Sequence, residues 1–178
     1  MPQPRLLVLG YSESAMLLAG SNQADVKALI SICGTHEHPL DAADIRCKLT
    51  LHFDDAEVPD LSDPNMGHAA WIKQRYAREM GRPLTPPTIE DAHAIISFAR
   101  STADLDGALL CQCQGGISRS PAAALICLTT WTGPGREREC VEHLLKIRPC
   151  AAPHADLVRF ADRILHRNGE LIRACTTR

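Results

Sequence analysis

One segment constrains the fold of this chain more than any other: a short apolar run, a glycine-containing turn and a longer apolar run follow one another directly. Residues 108–110 are typical of a buried strand and residues 122–128 of a buried helix, so residues 113–118 form the turn between them. Backbone N–H groups at such a turn converge beside the positive end of the helix, and Gly115 and Gly116 permit the strained backbone that this requires. The segment therefore predicts an anion site of phosphate size.

Three side chains in this segment have matching chemistry. Cys113 lies at the base of the turn, where the positive end of the helix favours the thiolate, a nucleophile toward phosphorus. Arg119 can donate two parallel hydrogen bonds to phosphate oxygens. The hydroxyl of Ser120 can donate to the sulfur and assist its departure. A cysteine between a strand and a helix is often only a packed residue, but this combination is more specific. The expected backbone contacts to phosphate come from Gln114, Gly115, Gly116, Ile117 and Ser118.

Residues 113–120 resemble the signature loop of the cysteine-dependent protein tyrosine and dual-specificity phosphatases, in which five residues separate a cysteine from an arginine. They are similar in particular to small predicted bacterial tyrosine phosphatases. Residues 51–55 resemble the general-acid segment of the family, and residues 86–88 resemble the approach to its signature strand. The resemblance covers roughly residues 25 to 135. It implies an α/β fold with a central sheet, a phosphocysteine intermediate and no metal or other cofactor.

The resemblance also implies a general acid, which protonates the leaving oxygen and then activates water. Asp54 and Asp55 both follow a strand-like run at residues 47–53. We favour Asp55, because the acid of the family follows an apolar and an acidic residue, as Phe53 and Asp54 are here. The alternatives are that Asp54 is the acid, or that both aspartates only cap a solvated turn.

Gln112 departs from the family pattern, in which a histidine usually precedes the nucleophile. That histidine helps to organise the loop and to favour the thiolate, whereas glutamine forms hydrogen bonds without a charge. The sequence therefore leaves open a weak or inactive relative that binds phosphoproteins. Sulfur transfer through a persulfide on Cys113 is a further alternative, which the neighbouring Arg119 and Ser120 disfavour.

The eight cysteines are scattered, and several lie in apolar runs. This arrangement favours a reducing cytoplasm over a disulfide framework or a zinc site. Cys33 ends a strand-like run. In some members of the superfamily that the chain resembles, a cysteine at the corresponding strand end forms a reversible disulfide with the nucleophile. The resemblance thus suggests Cys33 as a redox partner of Cys113, and an inert buried thiol is the simpler alternative.

The apolar pattern predicts one α/β domain over residues 1–178, a length that is too short for two domains. Strand-like runs alternate with helical stretches, which predicts a mostly parallel sheet with helices on both faces. The strand-like runs are residues 6–9, 28–32, 48–53 and 108–113. One helix is expected to begin after Thr88, the predicted N-cap. Further helices are expected at residues 137–147, at residues 155–165 and from residue 170.

The distance from the general-acid segment to Cys113 is longer than the family norm, which implies an insertion at residues 59–85. We interpret residues 60–65 as a loop and residues 69–77 as a helix, and expect the insertion to determine substrate specificity. The favoured arrangement places Trp71 and Tyr76 on the core and the basic side chains in water. Alternatively, the aromatic residues line a wall against a phenolic ring.

The composition and charge restrict the partners. A formal net charge of −2 argues against a general nucleic-acid surface. The start of the sequence lacks the apolar run of a signal peptide, and no segment has the apolar length of a membrane span. The expected activity is that of a cytoplasmic phosphomonoester hydrolase acting on phosphorylated protein, with phosphotyrosine favoured. The loop lacks the lysines that accompany inositol phosphates in related enzymes. The oligomeric state is left open.

Overall fold

A computed structural model of the protein describes residues 4–20, 25–58 and 66–177. Four strands and seven helices are found in these ranges. In chain order they are β1 (Arg5–Gly10), α1 (Tyr11–Ala19), β2 (Val26–Cys33), β3 (Cys47–His52), α2 (Met66–Glu79), α3 (Ile89–Ser101), β4 (Ala108–Cys113), α4 (Arg119–Thr132), α5 (Glu137–Ile147), α6 (Ala155–Ile164) and α7 (Glu170–Thr176).

The four strands form one sheet in the order β1-β4-β2-β3, and the three pairings between them are all parallel. β4 therefore lies between β1 and β2 and is buried along its whole length. Parallel strands that are covered on both faces consist of continuous apolar residues rather than alternating ones, which is the pattern of β2 and β4. The α/β fold with a parallel central sheet, predicted from the sequence, is confirmed.

Both faces of the sheet are covered. The larger core lies between one face of the sheet and helices α3 to α7, and a smaller cluster around Leu18 of α1 covers the other face. Helix α4 is buried from Arg119 to Thr129 and has apolar residues on all sides, as expected for a helix at the centre of a domain. The N-terminus of α4 therefore lies beside the end of the central strand β4.

Thr88 begins α3 through a reciprocal capping box. Its hydroxyl accepts a hydrogen bond from Asp91 N–H at 3.3 Å, and the carboxylate of Asp91 accepts from Thr88 N–H at 2.8 Å. This arrangement satisfies two N–H groups that a helix start otherwise leaves unpaired. The predicted N-cap at Thr88 is confirmed.

Helix α2 packs differently from our expectation. Trp71 is 42% exposed and Tyr76 64% exposed, so neither aromatic residue lies in the core. Ala70 is buried and Ala77 is half-buried, so small residues face the domain instead. The expected loop at residues 60–65 lies outside the described residues.

Among the residues that the structure describes, no helix has both the length and the apolar character needed to cross a bilayer.

Candidate active site

The candidate site lies where the sheet topology brings several loops together. In a parallel sheet the loops that follow the strands share one edge, which is where α/β proteins bind ligands. The signature loop, residues 113–120, follows the central strand β4. The start of α1, which directly follows β1, and the loops after β2 and β3 reach the same edge, so residues that are far apart in the chain surround the signature loop.

Cys113 lies at the base of the signature loop and is 2% exposed. Its Sγ accepts a hydrogen bond from Gly116 N–H at 3.3 Å and another from the Ser120 hydroxyl at 3.2 Å. Both donors are placed to stabilise negative charge on the sulfur. The structure therefore brings Cys113 and Ser120 into contact, although seven positions separate them in the chain.

The tight curvature of the signature loop depends on Gly116. Its φ is +67°, a left-handed conformation that residues with a Cβ rarely adopt. A Cβ at this position would also lie 2.6 Å from Gly10 N and 2.8 Å from Arg148 Nη2. Gly115 differs, since its Cβ would meet nothing closer than the Ile117 side chain at 3.8 Å. The loop thus requires glycine at position 116 but not, on steric grounds, at 115.

Arg119 is 4% exposed, and its hydrogen bonds leave one edge of the guanidinium open. Nη1 donates to Glu37 Oε2 at 2.9 Å and to the carbonyl oxygen of Phe53 at 3.1 Å, and Nη2 donates to Glu37 Oε1 at 2.9 Å. These bonds use three of the five N–H donors of an arginine. Nε has no partner among the described residues. The two remaining donors, on Nε and Nη2, form the side edge of the guanidinium, which matches two phosphate oxygens.

Glu37, in the loop between β2 and β3, orients Arg119. Its Oε2 also accepts a hydrogen bond from Gly34 N–H at 2.6 Å, which positions the carboxylate within its own loop. Burial alone would raise the pKa of Glu37, but the hydrogen bonds from Arg119 and Gly34 outweigh burial and hold the pKa below its ordinary value. Glu37 could not be identified from the sequence, because no local pattern marks a carboxylate whose partner is 82 positions away.

Asp54 is buried and its carboxylate is occupied by structural contacts. Oδ1 accepts a hydrogen bond from Thr35 N–H at 3.0 Å. Oδ2 accepts from the Thr35 hydroxyl at 2.7 Å and from Thr85 N–H at 2.8 Å. Asp54 therefore joins the loop after β2 to the segment that precedes α3.

Asp55 faces the signature loop. Its side chain is 49% exposed, and Oδ1 accepts a hydrogen bond from the Ser118 hydroxyl at 2.7 Å. Ser118 is the residue before α4, and its hydroxyl does not cap that helix. Of the two candidate acids, the structure places Asp55 at the rim of the signature loop and Asp54 in the supporting structure.

Two polar side chains of α2 hold the segment that contains Asp55, residues 54–58, which we term the acid loop. Lys73 Nζ donates to the carbonyl oxygen of Asp55 at 2.9 Å, and Gln74 Nε2 donates to that of Glu57 at 2.8 Å. The expected insertion thus contacts the backbone of the acid loop. Its exposed aromatic residues do not form these contacts.

Arg148, which follows α5, braces the signature loop from outside. Its Nε donates to the carbonyl oxygen of Gly116 at 3.1 Å and its Nη2 to that of Gly115 at 3.4 Å, while Nη1 pairs with Glu13 at 2.8 Å. The C=O and the following N–H of a trans peptide point in opposite directions. Holding these two carbonyls outward therefore turns the N–H groups of Gly116 and Ile117 inward. Neither Arg148 nor Glu13 was predicted from the sequence, because the two residues lie 135 positions apart and no local pattern marks the pair.

Gln112, which stands where the family usually has histidine, is buried in the sheet. Its Oε1 accepts a hydrogen bond from the Ser31 hydroxyl at 2.8 Å. Ser31 and Gln112 are register partners on β2 and β4. Successive side chains of a strand point to opposite faces, so Gln112 joins two strands and does not contact Cys113 through its amide.

Cys33 ends β2 beside the central strand β4. Its Sγ donates a hydrogen bond to the carbonyl oxygen of Glu37 at 3.0 Å, and all eight cysteines are free thiols. Burial, followed by the negative charge of Glu37, raises the pKa of Cys33. A thiol in this setting supports the loop that carries Glu37. Its role as a redox partner of Cys113 stays a prediction.

Comparisons with known proteins give structural matches only, because no protein-family model and no curated protein sequence matches this chain. Human DUSP28 aligns over 92% of this chain and 92% of its own, with a TM-score of 0.59 and 17% identity. The human tyrosine phosphatase-like serine/threonine/tyrosine-interacting protein aligns over 89% of both chains, with a TM-score of 0.57 and 16% identity. The Yvh1 phosphatase domain from Chaetomium thermophilum covers 96% of this chain and 95% of its own, with a TM-score of 0.53 and 17% identity.

These matches extend over nearly the whole chain and therefore compare complete folds rather than a shared loop. At such low sequence identity they establish the architecture and leave the chemistry to the residues of this chain. The fold that was expected from the resemblance of the signature loop is confirmed. The chain has the fold of the cysteine-dependent protein tyrosine and dual-specificity phosphatases.

Proposed function

We propose that this protein is a phosphomonoester hydrolase that acts through a phosphocysteine intermediate on Cys113. The open side edge of Arg119 is the observation that carries the proposal. A buried guanidinium with two unpaired, parallel donors beside a cysteine fits a phosphoryl group, which presents paired oxygens to one donor edge and its phosphorus to the sulfur.

In the first step, the Cys113 thiolate attacks phosphorus. A P–S bond forms while the P–O bond to the leaving group breaks, and protonated Asp55 gives its proton to the leaving oxygen. Arg119 and the inward N–H groups of the signature loop stabilise the charge on the phosphoryl oxygens.

In the second step, a water molecule attacks phosphorus while the Asp55 carboxylate takes a proton from it. The P–S bond breaks and inorganic phosphate leaves. The Ser120 hydroxyl, which donates to the sulfur at 3.2 Å, stabilises the departing Cys113 thiolate.

We infer that phosphotyrosine on protein is the favoured substrate. Arg119 is the single cation among residues 113–120, which suits one phosphate group better than a polyanionic inositol phosphate. The half-exposed side chain of Ile117 offers an apolar contact for an aromatic ring next to the bound phosphate.

Hydrolysis of p-nitrophenyl phosphate between pH 5 and 8, with EDTA present, tests the proposal. Wild type, Cys113→Ser and Asp55→Asn are compared with Cys47→Ser as a matched control. Cys47 is the first residue of β3 and lies at the opposite end of the sheet from the signature loop. We expect turnover by wild type and Cys47→Ser, and none by Cys113→Ser. Asp55→Asn should turn over more slowly even with this leaving group, because it also lacks the base that activates water in the second step.

Absence of turnover by the reduced wild type would contradict the proposal. Titration calorimetry with inorganic phosphate would then test the alternative of a phosphoprotein-binding relative. Binding that is lost in Arg119→Lys would support that alternative.

A further inference from the structure

His154, the residue before α6, contacts both parts of the candidate site. Its backbone N–H donates to the carbonyl oxygen of Ser118 in the signature loop at 3.2 Å. Its Nε2 lies 3.2 Å from the carbonyl oxygen of Ala56 in the acid loop and 3.7 Å from Asp55 Oδ1. One residue therefore joins the segment of the nucleophile to the segment of the proposed acid.

The contacts of His154 define its state. A carbonyl oxygen only accepts hydrogen bonds, so Nε2 carries the proton that is donated to Ala56. The imidazole side chain is 2% exposed, and Nδ1 has no partner among the described residues. Burial lowers the pKa of His154, and the nearby charges of Asp55 and Asp156 only partly oppose this. The ring is thus a neutral donor at neutral pH.

A neutral imidazole suits a neighbouring general acid. A cation 3.7 Å from the carboxylate of Asp55 would favour its charged form and so oppose proton donation. A buried Nδ1 without a hydrogen-bond partner among the described residues lowers the stability of the fold. An apolar residue would avoid this destabilisation, but it would leave the carbonyl oxygen of Ala56 without its donor. The position therefore serves the acid loop at the expense of stability.

Helix α6 holds the acid loop at a second point. Asp156 Oδ2 accepts a hydrogen bond from Val58 N–H at 2.7 Å, and Asp156 also pairs with Arg159. The groups that face the imidazole from the acid loop are the carboxylates of Asp55 and Glu57, and Asp156 faces it from α6. Asp156 holds the loop at residue 58, whereas His154 holds it at residue 56, directly after Asp55. His154 therefore shares the placement of Asp55 with Lys73, which holds the carbonyl oxygen of Asp55 from the side of α2.

We propose that His154 is a positioning residue for the general acid: its Nε2–H holds the acid loop so that the Asp55 carboxylate lies against the signature loop. This inference rests on the proposed phosphatase activity. The imidazole contacts given above are with the acid loop, so the proposed role of His154 acts through Asp55.

Dependence of the rate on the leaving group tests this role. p-Nitrophenolate departs with little help from an acid, whereas phenolate requires a proton. Glutamine and methionine are similar in volume, but only glutamine retains a donor near the position of Nε2. We compare kcat/KM of wild type, His154→Gln and His154→Met on p-nitrophenyl phosphate and phenyl phosphate.

We expect His154→Met to lose at least about tenfold more activity on phenyl phosphate than on p-nitrophenyl phosphate, part of the roughly 10²–10⁴-fold that a general acid contributes. In His154→Gln, the additional loss of activity on phenyl phosphate should be much smaller. Asp162→Asn is the structural control, because Asp162 lies on the same helix and accepts from Gly169 and Leu171 N–H rather than contacting the acid loop. It should lower the melting temperature and affect both substrates equally.

Equal losses on the two substrates in His154→Met, or the same leaving-group dependence in His154→Gln and His154→Met, would overturn this inference while the proposed function stood. An inactive wild type would overturn both. Melting temperatures of all variants show whether any loss reflects unfolding.

Discussion

Two consecutive aspartates, Asp54 and Asp55, have opposite environments at the end of β3. Burial would raise the pKa of Asp54, but hydrogen bonds from Thr85 and Thr35 outweigh burial and hold the pKa below its ordinary value. A carboxylate stabilised in this way is a poor proton donor at neutral pH. The Asp55 carboxylate accepts a hydrogen bond from the Ser118 hydroxyl and is half-exposed at the rim of the signature loop.

Asparagine substitutions at these two positions should therefore have different effects. Asp55→Asn should lower kcat/KM on phenyl phosphate by about 10²-fold or more, because it removes the proposed general acid, and should leave the melting temperature nearly unchanged. Asp54→Asn should destabilise the fold by about 1–3 kcal/mol, because one of its oxygens becomes a donor facing other donors. Steady-state kinetics and thermal unfolding measure the two effects, and a reversed pattern would identify Asp54 as the acid.

Substitution of Glu37 tests the orientation of Arg119. Glu37→Gln should destabilise the protein by about 3 kcal/mol, the lower end for losing one partner of a buried ion pair, since Glu37 is one-quarter exposed. The unfolding free energy from denaturant titration measures this effect. Phosphate should restore part of the lost stability, because it supplies negative charge to the same guanidinium. A variant as stable as wild type would show that the pair does not hold Arg119.

At the scale of elements, the signature loop is shaped from two sides. β4 and α4 determine where it begins and ends, and Arg148 holds two of its carbonyl oxygens from outside. Gly116 fits between these supports because it has no Cβ. The inward direction of the loop N–H groups is therefore a property of the loop together with its neighbours.

Two neighbouring glycines provide a matched comparison. Gly116→Ala should destabilise the protein by about 1–3 kcal/mol through its left-handed backbone, with an added steric penalty at Gly10 and Arg148. Gly115→Ala, whose Cβ would meet only Ile117 at ordinary contact distance, should leave the melting temperature close to that of wild type. Equal melting temperatures for the two variants would contradict the steric argument.

Helices α1 and α2 show what the apolar periodicity of the sequence does not predict. Helix α1 was not predicted as a separate element, because its nine residues mix serine, glutamate and apolar side chains without a clear apolar face. Helix α2 was predicted, but its inward face consists of alanines and polar side chains that contact the acid loop backbone. The aromatic residues that suggested a core-facing side lie outside the core.

At the scale of the whole molecule, the site is assembled from segments that are far apart in the chain. Arg119 and Glu37 are 82 positions apart, and Ser118 and Asp55 are 63 apart. These contacts exist only in the folded domain, so the ionisation of the site residues is coupled to folding.

This coupling predicts that stability falls as the pH decreases below neutral. The folded-state pKa of His154 lies below its ordinary value of 6.5, so the unfolded chain binds this proton first as the pH falls. The stability that this difference in pKa contributes is fully present above pH 6.5. It is lost as the pH decreases from 6.5 toward the folded-state pKa of His154. Asp54 and Glu37, whose pKa values are lowered in the folded protein, add losses only below their ordinary values of 3.8 and 4.5.

Denaturant titrations at pH 7.5, 6.5 and 5.5 measure this dependence. We expect the unfolding free energy of wild type to fall over this range and that of His154→Gln to change less, because glutamine does not titrate. If the unfolding free energy of His154→Gln fell with pH as steeply as that of wild type, other titrating groups would be responsible for the pH dependence.

The sequence alone was sufficient to predict the α/β class, the strands of the sheet, the cap at Thr88 and the signature loop between a buried strand and a buried helix. These features depend on local chemistry: apolar runs, glycines and capping side chains act within a few residues of one another. The pattern of Cys113, Arg119 and Ser120 is local for the same reason.

Only the tertiary structure showed the different surroundings of Asp54 and Asp55, revealed Glu37, Arg148 and His154, and turned the aromatic residues of α2 away from the core. Each of these features depends on a partner residue from another element. The periodicity of a local segment does not predict which distant side chains will contact it. The order of the strands in a parallel sheet determines which loops are neighbours at the carboxyl ends of the strands. It therefore also determines which side chains can form hydrogen bonds and ion pairs there.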